Sequence, residues 1–170
     1  QKEVEELLER LPRNTIAVFD EAYSEYVEDP EYPDSLKYLN RNLVVTRTFS
    51  KIYGLAGLRL GYGVSRPEII EYMNRTRQPF NVNSLAQAAG IAALDDQDWV
   101  KQTKEINREG LKYLKEELNR LKLNYVPSVA NFLLIDIKRD ANKVFESLLR
   151  KGVIVRSMAE YNYPTHIRVT

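Results

Sequence analysis

Several side chains that commonly build functional sites are absent or nearly absent from this 170-residue chain. It contains no cysteine and a single histidine, His166. The absence of cysteine excludes disulfides, a thiolate nucleophile and a cysteine-bound metal. One histidine excludes a zinc site built from histidines and disfavours a Ser-His-Asp triad. If the protein is a catalyst, we expect lysine, tyrosine, aspartate or glutamate to handle its protons.

The charged and apolar residues give no sign of a nucleic-acid or membrane partner. Lys and Arg number 25 and Asp and Glu 24, so the net charge is +1. The basic residues are scattered and form no patch that would bind a phosphate backbone. No apolar run approaches the roughly 20 residues that span a bilayer, and residues 1–5 do not resemble a signal peptide. We therefore expect a cytoplasmic protein that binds neither nucleic acid nor membranes.

Short apolar runs alternate with helical patterns in the first third of the chain, which is typical of an α/β fold. The spacing of apolar residues predicts a helix over residues 3–11. Residues 15–19 and 43–46 are continuous apolar runs, which predict strands covered on both faces. Residues 23–40 are expected to form a loop, and residues 59–64 a third strand. Together these strands predict a parallel or mixed sheet.

The rest of the chain predicts longer helices and a second group of strands. Ser65 and Glu68 fit a capping box, with Pro67 in the first turn of a helix that reaches residue 76. The remaining pattern predicts helices over 84–94, 98–121 and 141–150, with Asp140 and Gly152 at the ends of the last helix. It also predicts strands over 129–135, 153–156 and from 167 onward, and it leaves His166 in a loop. This organisation divides the chain into residues 1–65, connecting helices over 66–97, and residues 98–170.

An acid and a lysine follow the ends of the first two predicted strands. Asp20 comes directly after the first, and the pair Ser50 and Lys51 follows the second. In an open α/β sheet both positions would face the same crevice. One interpretation is an ion pair at the edge of a sheet. The other is a site for an electron-sink cofactor, in which the lysine forms an imine and the acid pairs with a ring nitrogen.

Two motifs favour the second interpretation. The segment 48–61, Thr-Phe-Ser-Lys-Ile-Tyr-Gly-Leu-Ala-Gly-Leu-Arg-Leu-Gly, resembles the lysine signature of the pyridoxal-phosphate-dependent aminotransferases of fold type I. Residues 20–23, Asp-Glu-Ala-Tyr, resemble the Asp-x-Ala-Tyr element of the same family. The order of these residues is hard to match by chance: an Asp, a Tyr three residues on, a later Ser-Lys pair and an Arg eight residues after the Lys.

The resemblance extends to the histidinol-phosphate aminotransferases in particular, through residues 77–83, 128–132, 152–156 and 167–170. It covers almost the whole chain but only about the C-terminal half of such an enzyme. It implies an α/β fold made of two parts. The first is part of the large cofactor-binding domain, which has a mainly parallel sheet with helices. The second is an α/β small domain that is truncated at its end. The family's glycine-rich phosphate loop and ring-stacking aromatic would lie upstream of Gln1.

The resemblance also implies a role for each matching residue. Lys51 would bind pyridoxal phosphate covalently and, once released, move a proton between the substrate Cα and C4′ of the cofactor. Asp20 would pair with the pyridine nitrogen, and Tyr23 would hydrogen-bond the phenolic oxygen. Ser50 and Arg59 would hold the phosphate. Ile52, which follows the lysine, departs from the small residue usual in the family.

Three residues of the last part are candidates for substrate binding. Arg168, flanked by apolar residues, would bind a substrate carboxylate with its planar guanidinium group. Arg156 would bind the substrate phosphate or the side-chain carboxylate of glutamate, or forms an ordinary surface ion pair. Asn131 would lie near the substrate, or is a buried amide that closes a turn.

The resemblance implies that the intact enzyme is a homodimer that exchanges an amino group between histidinol phosphate and 2-oxoglutarate in histidine biosynthesis. An aromatic-amino-acid aminotransferase and a threonine-phosphate decarboxylase would keep the same residues, so both remain open. A third alternative is a non-catalytic fragment, and we expect the isolated chain to lack transaminase activity. No metal is implied.

Overall fold

A computed structural model describes all residues of the chain, 1–170. The chain forms two compact units, Gln1–Lys101 and Gln102–Thr170, and each is described here by itself. None of the helices combines the length and apolar character that crossing a membrane requires.

The first unit is built on a three-stranded mixed sheet. Its strands are β1 (Ala17–Asp20), β2 (Leu43–Thr48) and β3 (Gly61–Ser65), in the order β1-β2-β3. β1 runs parallel to β2, and β3 runs antiparallel to it. The sheet is thus mixed, and β2 lies at its centre. Leu43 and Val45 of β2 are fully buried.

The first strand is less covered than its apolar sequence predicts. Burial along β1 alternates, and Ile16 and Val18 are 54% and 63% exposed. The expectation of a strand covered on both faces is therefore wrong for this chain. The physical reason is that β1 is an edge strand, and no segment of the 170 residues packs over the side chain of Val18.

Helices and short turns surround this sheet. The helices are α1 (Lys2–Arg10), α2 (Pro67–Thr76) and α3 (Ser84–Asp95). Asn83 caps α3 by accepting a hydrogen bond from the Ala86 N–H at 2.8 Å. The predicted loop over 23–40 contains two single 3₁₀ turns, and a third 3₁₀ turn precedes β3: Ser24–Tyr26, Ser35–Tyr38 and Ala56–Leu58.

The predicted capping box at the start of α2 is wrong. Ser65 is the last residue of β3, and its hydroxyl donates to the backbone carbonyl of Leu43. The capping position is instead held by Arg66, whose side chain makes no capping hydrogen bond and lies 3.7 Å from the Glu68 carboxylate. Ser65 is unavailable as a cap because the neighbouring strand already accepts its hydroxyl proton.

The second unit packs two helices against an antiparallel sheet. Helix α4 (Gln97–Arg120) begins in the first unit and ends here, and α5 covers Ala141–Leu149. The strands lie in the order β4-β5-β7-β6 and are β4 (Asn124–Val126), β5 (Leu133–Asp136), β6 (Arg156–Ser157) and β7 (His166–Val169). Leu118, Leu133, Ile135, Ala141 and Ile167 form its core. Asp140 caps α5 as predicted, and Gly152 follows that helix with a φ of +81°.

Three strand predictions in this unit are wrong in detail. The strand expected over 129–135 begins only at Leu133, because the Ser128 hydroxyl accepts the Ala130 N–H and turns the chain. The strand expected over 153–156 is reduced to Arg156 and Ser157, since the Val153 N–H bonds to the end of α5. β4 was not predicted, and His166 lies in β7 instead of a loop.

Candidate functional site

Two polar side chains of the first unit lie where parallel strands end. Asp20 is the last residue of β1, and its register partner on β2 is Thr46. The β2 strand ends at Thr48, and Lys51 follows three residues later. The carboxyl ends of these neighbouring strands therefore lie at one edge of the sheet, where α/β proteins bind ligands. The structure brings Asp20 and the Lys51 loop to that edge, as the sequence predicts.

The Asp20 carboxylate is exposed and fixed by a local turn. Its Oδ1 accepts the backbone N–H of Ala22 at 3.1 Å. The Oδ2 atom accepts no hydrogen bond from the chain. A carboxylate held in this way can accept a further hydrogen bond from a ligand cation or a protonated ring nitrogen.

Lys51 and Tyr23 lie in contact. The Lys51 Nζ is 5.1 Å from the centroid of the Tyr23 ring, and both side chains are half-buried. A cation over an aromatic face is stabilised by the ring quadrupole. Tyr23 directly precedes the Ser24–Tyr26 turn, so the turn after β1 carries the ring towards the lysine that follows β2.

Backbone hydrogen bonds fix the loop that carries Ser50 and Lys51. Phe49 donates its N–H to Leu60 at 3.1 Å and accepts the Leu55 N–H at 2.9 Å. The Ser50 N–H donates to the Thr48 hydroxyl at 3.0 Å. Phe49 is buried beneath the loop, whereas the Ser50 and Lys51 side chains are half-buried. A hydroxyl and an amine are thus presented on a rigid loop.

Arg59 follows the Ala56–Leu58 turn and is exposed. Its backbone is left-handed, with φ of 57°, and its Nη1 donates to the Ala56 carbonyl at 2.8 Å. The remaining N–H groups of the guanidinium fork make no hydrogen bond within the chain. They can donate to an anion such as a phosphate.

A buried ion pair that the sequence did not reveal lies under this edge. Arg47 donates from Nε and Nη2 to Oε2 of Glu21 at 3.0 and 2.9 Å, and the Glu21 side chain is only 4% exposed. Burial acts to lower the pKa of Arg47, but the hydrogen bonds and charge of Glu21 hold that pKa above its ordinary value. The Glu21 N–H also donates to Thr46 at 2.9 Å, so the residue after Asp20 is tied to β2 twice.

The three substrate candidates lie in the second unit, two of them as direct neighbours. Arg156 of β6 and Arg168 of β7 are register partners. The Arg168 Cζ lies 4.9 Å from the centroid of the Phe132 ring, and Arg156 donates from Nη2 to the Tyr161 hydroxyl at 2.7 Å. Neither arginine has an acidic partner within ion-pair distance. Within residues 1–170, Arg156 therefore forms no ion pair.

Asn131 lies in the loop before β5 and is half-buried. Its side chain makes no hydrogen bond. The turn in this loop is made by Ser128 and Ala130, so Asn131 does not close it.

Comparisons with known proteins show the family to which the chain belongs. The family model described as aminotransferase class I and II matches residues 1–170. Histidinol-phosphate aminotransferase 1 of Nitrosococcus oceani is 54% identical over 170 residues, which are 99% of this chain and 46% of that protein. Histidinol-phosphate aminotransferase of Moorella thermoacetica is 51% identical over 173 residues, which are 100% of this chain and 45% of that protein.

A solved structure shows the same fold. The crystal structure of histidinol-phosphate aminotransferase from Sinorhizobium meliloti, in complex with pyridoxal-5′-phosphate, superimposes with a TM-score of 0.89 at 30% identity and covers 99% of this chain and 47% of that one. The chain thus spans about half the length of the relatives it matches. Because the family model matches it from end to end, the chain belongs to the class I and II aminotransferases.

Proposed function

We propose that this chain contributes the lysine-bearing part of a pyridoxal-phosphate-dependent active site that transfers an amino group between histidinol phosphate and 2-oxoglutarate. The observation that carries the proposal is the placement of Asp20 and Lys51 at the carboxyl ends of adjacent parallel strands. The substrate is taken from relatives about half identical in sequence that are named for histidinol phosphate.

The donors present fit pyridoxal phosphate. Its aldehyde requires an amine, which Lys51 supplies, and its ring nitrogen requires an anionic partner, for which the exposed Asp20 carboxylate is suited. The Tyr23 hydroxyl would donate to the phenolic oxygen. The Ser50 hydroxyl and the Arg59 fork would hold the phosphate, since a guanidinium group donates two parallel hydrogen bonds to such an oxyanion.

The chain's residues would divide the chemistry between them. When bound, pyridoxal phosphate supplies an electron sink for the negative charge that develops at the substrate Cα. Asp20 would keep a proton on the ring nitrogen by accepting its hydrogen bond. Lys51 would take the proton from the substrate Cα as a general base and return it at C4′ of the cofactor as a general acid. The contact with Tyr23 would limit the directions from which its amine approaches.

The arginine pair supports anionic substrates. Arg156 and Arg168 are opposite each other on adjacent strands, and like charges in that position destabilise a sheet. An anion bound by both would relieve this repulsion. Glutamate and 2-oxoglutarate present carboxylates, and histidinol phosphate presents a phosphate. We propose these two arginines as substrate-binding residues, together with Asn131, which directly precedes the Phe132 that Arg168 contacts.

The activity is proposed for a protein longer than these 170 residues. The chain spans less than half of its relatives' length, and apolar side chains of β1 are exposed. We expect the isolated chain to lack transaminase activity, because donors from other parts of the protein would be needed to complete the cofactor site.

The test is a parallel assay of the gene product that carries this chain and of residues 1–170 alone. Each protein is given pyridoxal phosphate and one of three substrates. Histidinol phosphate and phenylalanine are each supplied together with 2-oxoglutarate, and threonine phosphate is supplied without it. Glutamate formation from histidinol phosphate, by the gene product only, is the expected result. Turnover of phenylalanine alone would support an aromatic aminotransferase, and carbon dioxide from threonine phosphate a decarboxylase; either would overturn the proposed substrate.

Assembly and location remain proposals that follow from the family resemblance. We propose a cytoplasmic homodimer whose substrates are small molecules. Light scattering on the gene product would measure its mass, and a monomer at assay concentration would contradict the dimer.

A further inference from the structure

The first turn of helix α4 contacts the loop that carries Lys51. Trp99 donates its indole Nε1–H to the backbone carbonyl of Ile52 at 2.9 Å. The Trp99 backbone is itself fixed, because its N–H donates to the Asp96 carboxylate at 3.0 Å. Both residues belong to the first unit. The carbonyl of the residue directly after the lysine is therefore held by a side chain that lies 47 residues away from it in sequence.

The Trp99 ring also closes over the end of that turn. A Cβ at Gly54 would lie 3.3 Å from Cζ2 of the indole, which is closer than most side chains approach. Gly54 has a φ of +70°, a conformation that glycine adopts without strain, and its N–H donates to the Lys51 carbonyl at 3.0 Å. The turn over Lys51–Gly54 is thus closed by its own hydrogen bond, and the indole lies against it at Gly54.

Ile52 anchors the same turn from below. Its side chain is 1% exposed, so this branched residue, which departs from the family pattern, fills the space beneath the lysine loop. On the other side of Lys51, the strand β2 and the Phe49 hydrogen bonds fix the chain. The backbone of Lys51 is therefore held before it by the sheet and after it by Ile52 and Trp99.

We propose that Trp99 is a positioning residue for Lys51: its hydrogen bond to Ile52 holds the turn that presents the lysine amine at the sheet edge. This inference rests on the proposed role of Lys51 as the cofactor lysine. A catalytic group held within a fraction of an ångström by its supporting residues reacts faster and binds its partner more tightly than a mobile one. Trp99 does this without touching the cofactor site itself.

The test uses Trp99→Phe in the gene product that carries this chain. Phenylalanine keeps an aromatic ring but removes the N–H, which leaves the Ile52 carbonyl without its donor. Tyr113→Phe is the matched control, since it removes one polar group from an exposed aromatic residue on the same helix. The readouts are the dissociation constant of pyridoxal phosphate, the pH midpoint of the absorbance of the lysine-bound cofactor, and the melting temperature.

Loss of one hydrogen bond is expected to weaken pyridoxal phosphate binding by roughly 2- to 10-fold. The absorbance midpoint is expected to move to higher pH, because a looser turn admits water, which favours the protonated cation. Tyr113→Phe should change neither. A Trp99→Phe protein with a lower melting temperature but with the wild-type dissociation constant and midpoint would overturn the inference, since its role would then be stability alone.

Two further comparisons keep the outcome interpretable. If the wild-type protein shows no cofactor absorbance that Lys51→Ala abolishes, the proposed function fails and this inference fails with it. If that absorbance is present in the wild type and unaltered in Trp99→Phe, only this inference fails. Should Trp99→Phe not fold, Gly54→Ala carries the test, because its Cβ would press on the indole while the N–H donor remains. The same weakening is expected there, and wild-type binding would overturn the inference.

Discussion

Tyr26 and Tyr23 show how position decides the behaviour of two tyrosines in one short turn. Tyr23 is half-buried with its ring under Lys51. Tyr26 is 7% exposed, and its ring centroid lies 6.4 Å from that of Tyr23. Burial raises the pKa of Tyr26 above its ordinary value of 10.0, and the nearby Tyr23 and Glu25 add to the rise. Tyr26 therefore keeps its proton within the core, whereas Tyr23 contacts Lys51.

This raised pKa predicts a loss of stability in alkali. Tyr26 binds its proton more tightly when folded, so its contribution is fully present below its unfolded pKa of about 10 and is lost as the pH rises through the higher folded value. Tyr26→Phe cannot ionise and should flatten the fall in unfolding free energy between about pH 8 and about pH 11. Urea unfolding across this range measures it, with Tyr113→Phe as the exposed control. Equal slopes in all three proteins would contradict the assignment.

The candidate site residues could be predicted individually from the sequence, but the residues that hold them in place could not. Asp20 ends one strand and Lys51 follows the next; apolar runs predict both strands, and the motif spacing adds to that signal. Glu21 and Arg47 meet across 26 residues of sequence, and the pairing depends on the register of β1 with β2, which no local pattern encodes. Trp99 reads as one member of the apolar face of α4, and only the packed structure shows its hydrogen bond to the lysine loop.

At the scale of elements, the ends of β1 and β2 are joined by the Glu21–Arg47 ion pair. β2 extends two residues beyond its predicted end at residue 46, and Arg47 lies in that extension. The errors in the second unit have a similar cause. β4 depends on pairing with residues 134–136 of β5, and the apolar residues Val153 and Ile154 remain exposed outside any strand. Apolar runs therefore predict the existence of the central strands, but they do not predict the ends of strands that are set by turns or by edge pairing.

Breaking this ion pair is expected to be costly. Glu21→Gln keeps an amide oxygen but removes the charge, which leaves Arg47 half-buried without its anion. We expect a loss of roughly 2 kcal/mol in unfolding free energy, measured by urea denaturation at neutral pH. Glu28→Gln, at an exposed position in the same unit, should cost far less. A loss no larger than that of Glu28→Gln would mean that the pair does not join the strands energetically.

At the scale of the whole molecule, the chain carries a recognisable part of an aminotransferase and leaves apolar surface uncovered. It spans 46% of the Nitrosococcus relative. Phe80, Leu85 and Ile91 are 99%, 76% and 67% exposed. The α/β class and the family were predictable, because motifs and apolar runs are local. The uncovered faces were not, since the sequence of a segment does not show whether a partner covers it.

We propose above all that Lys51 is the residue to which pyridoxal phosphate becomes attached. The most direct measurement treats the gene product that carries this chain with pyridoxal phosphate and borohydride, which fixes the attached group as a secondary amine, and locates it by peptide mass. We expect the added mass on the peptide that contains Lys51. The added mass should be lost in Lys51→Ala and retained in Lys37→Ala, which replaces an exposed lysine of the same unit. Attachment that persists in Lys51→Ala, or is spread over surface lysines alone, would contradict it.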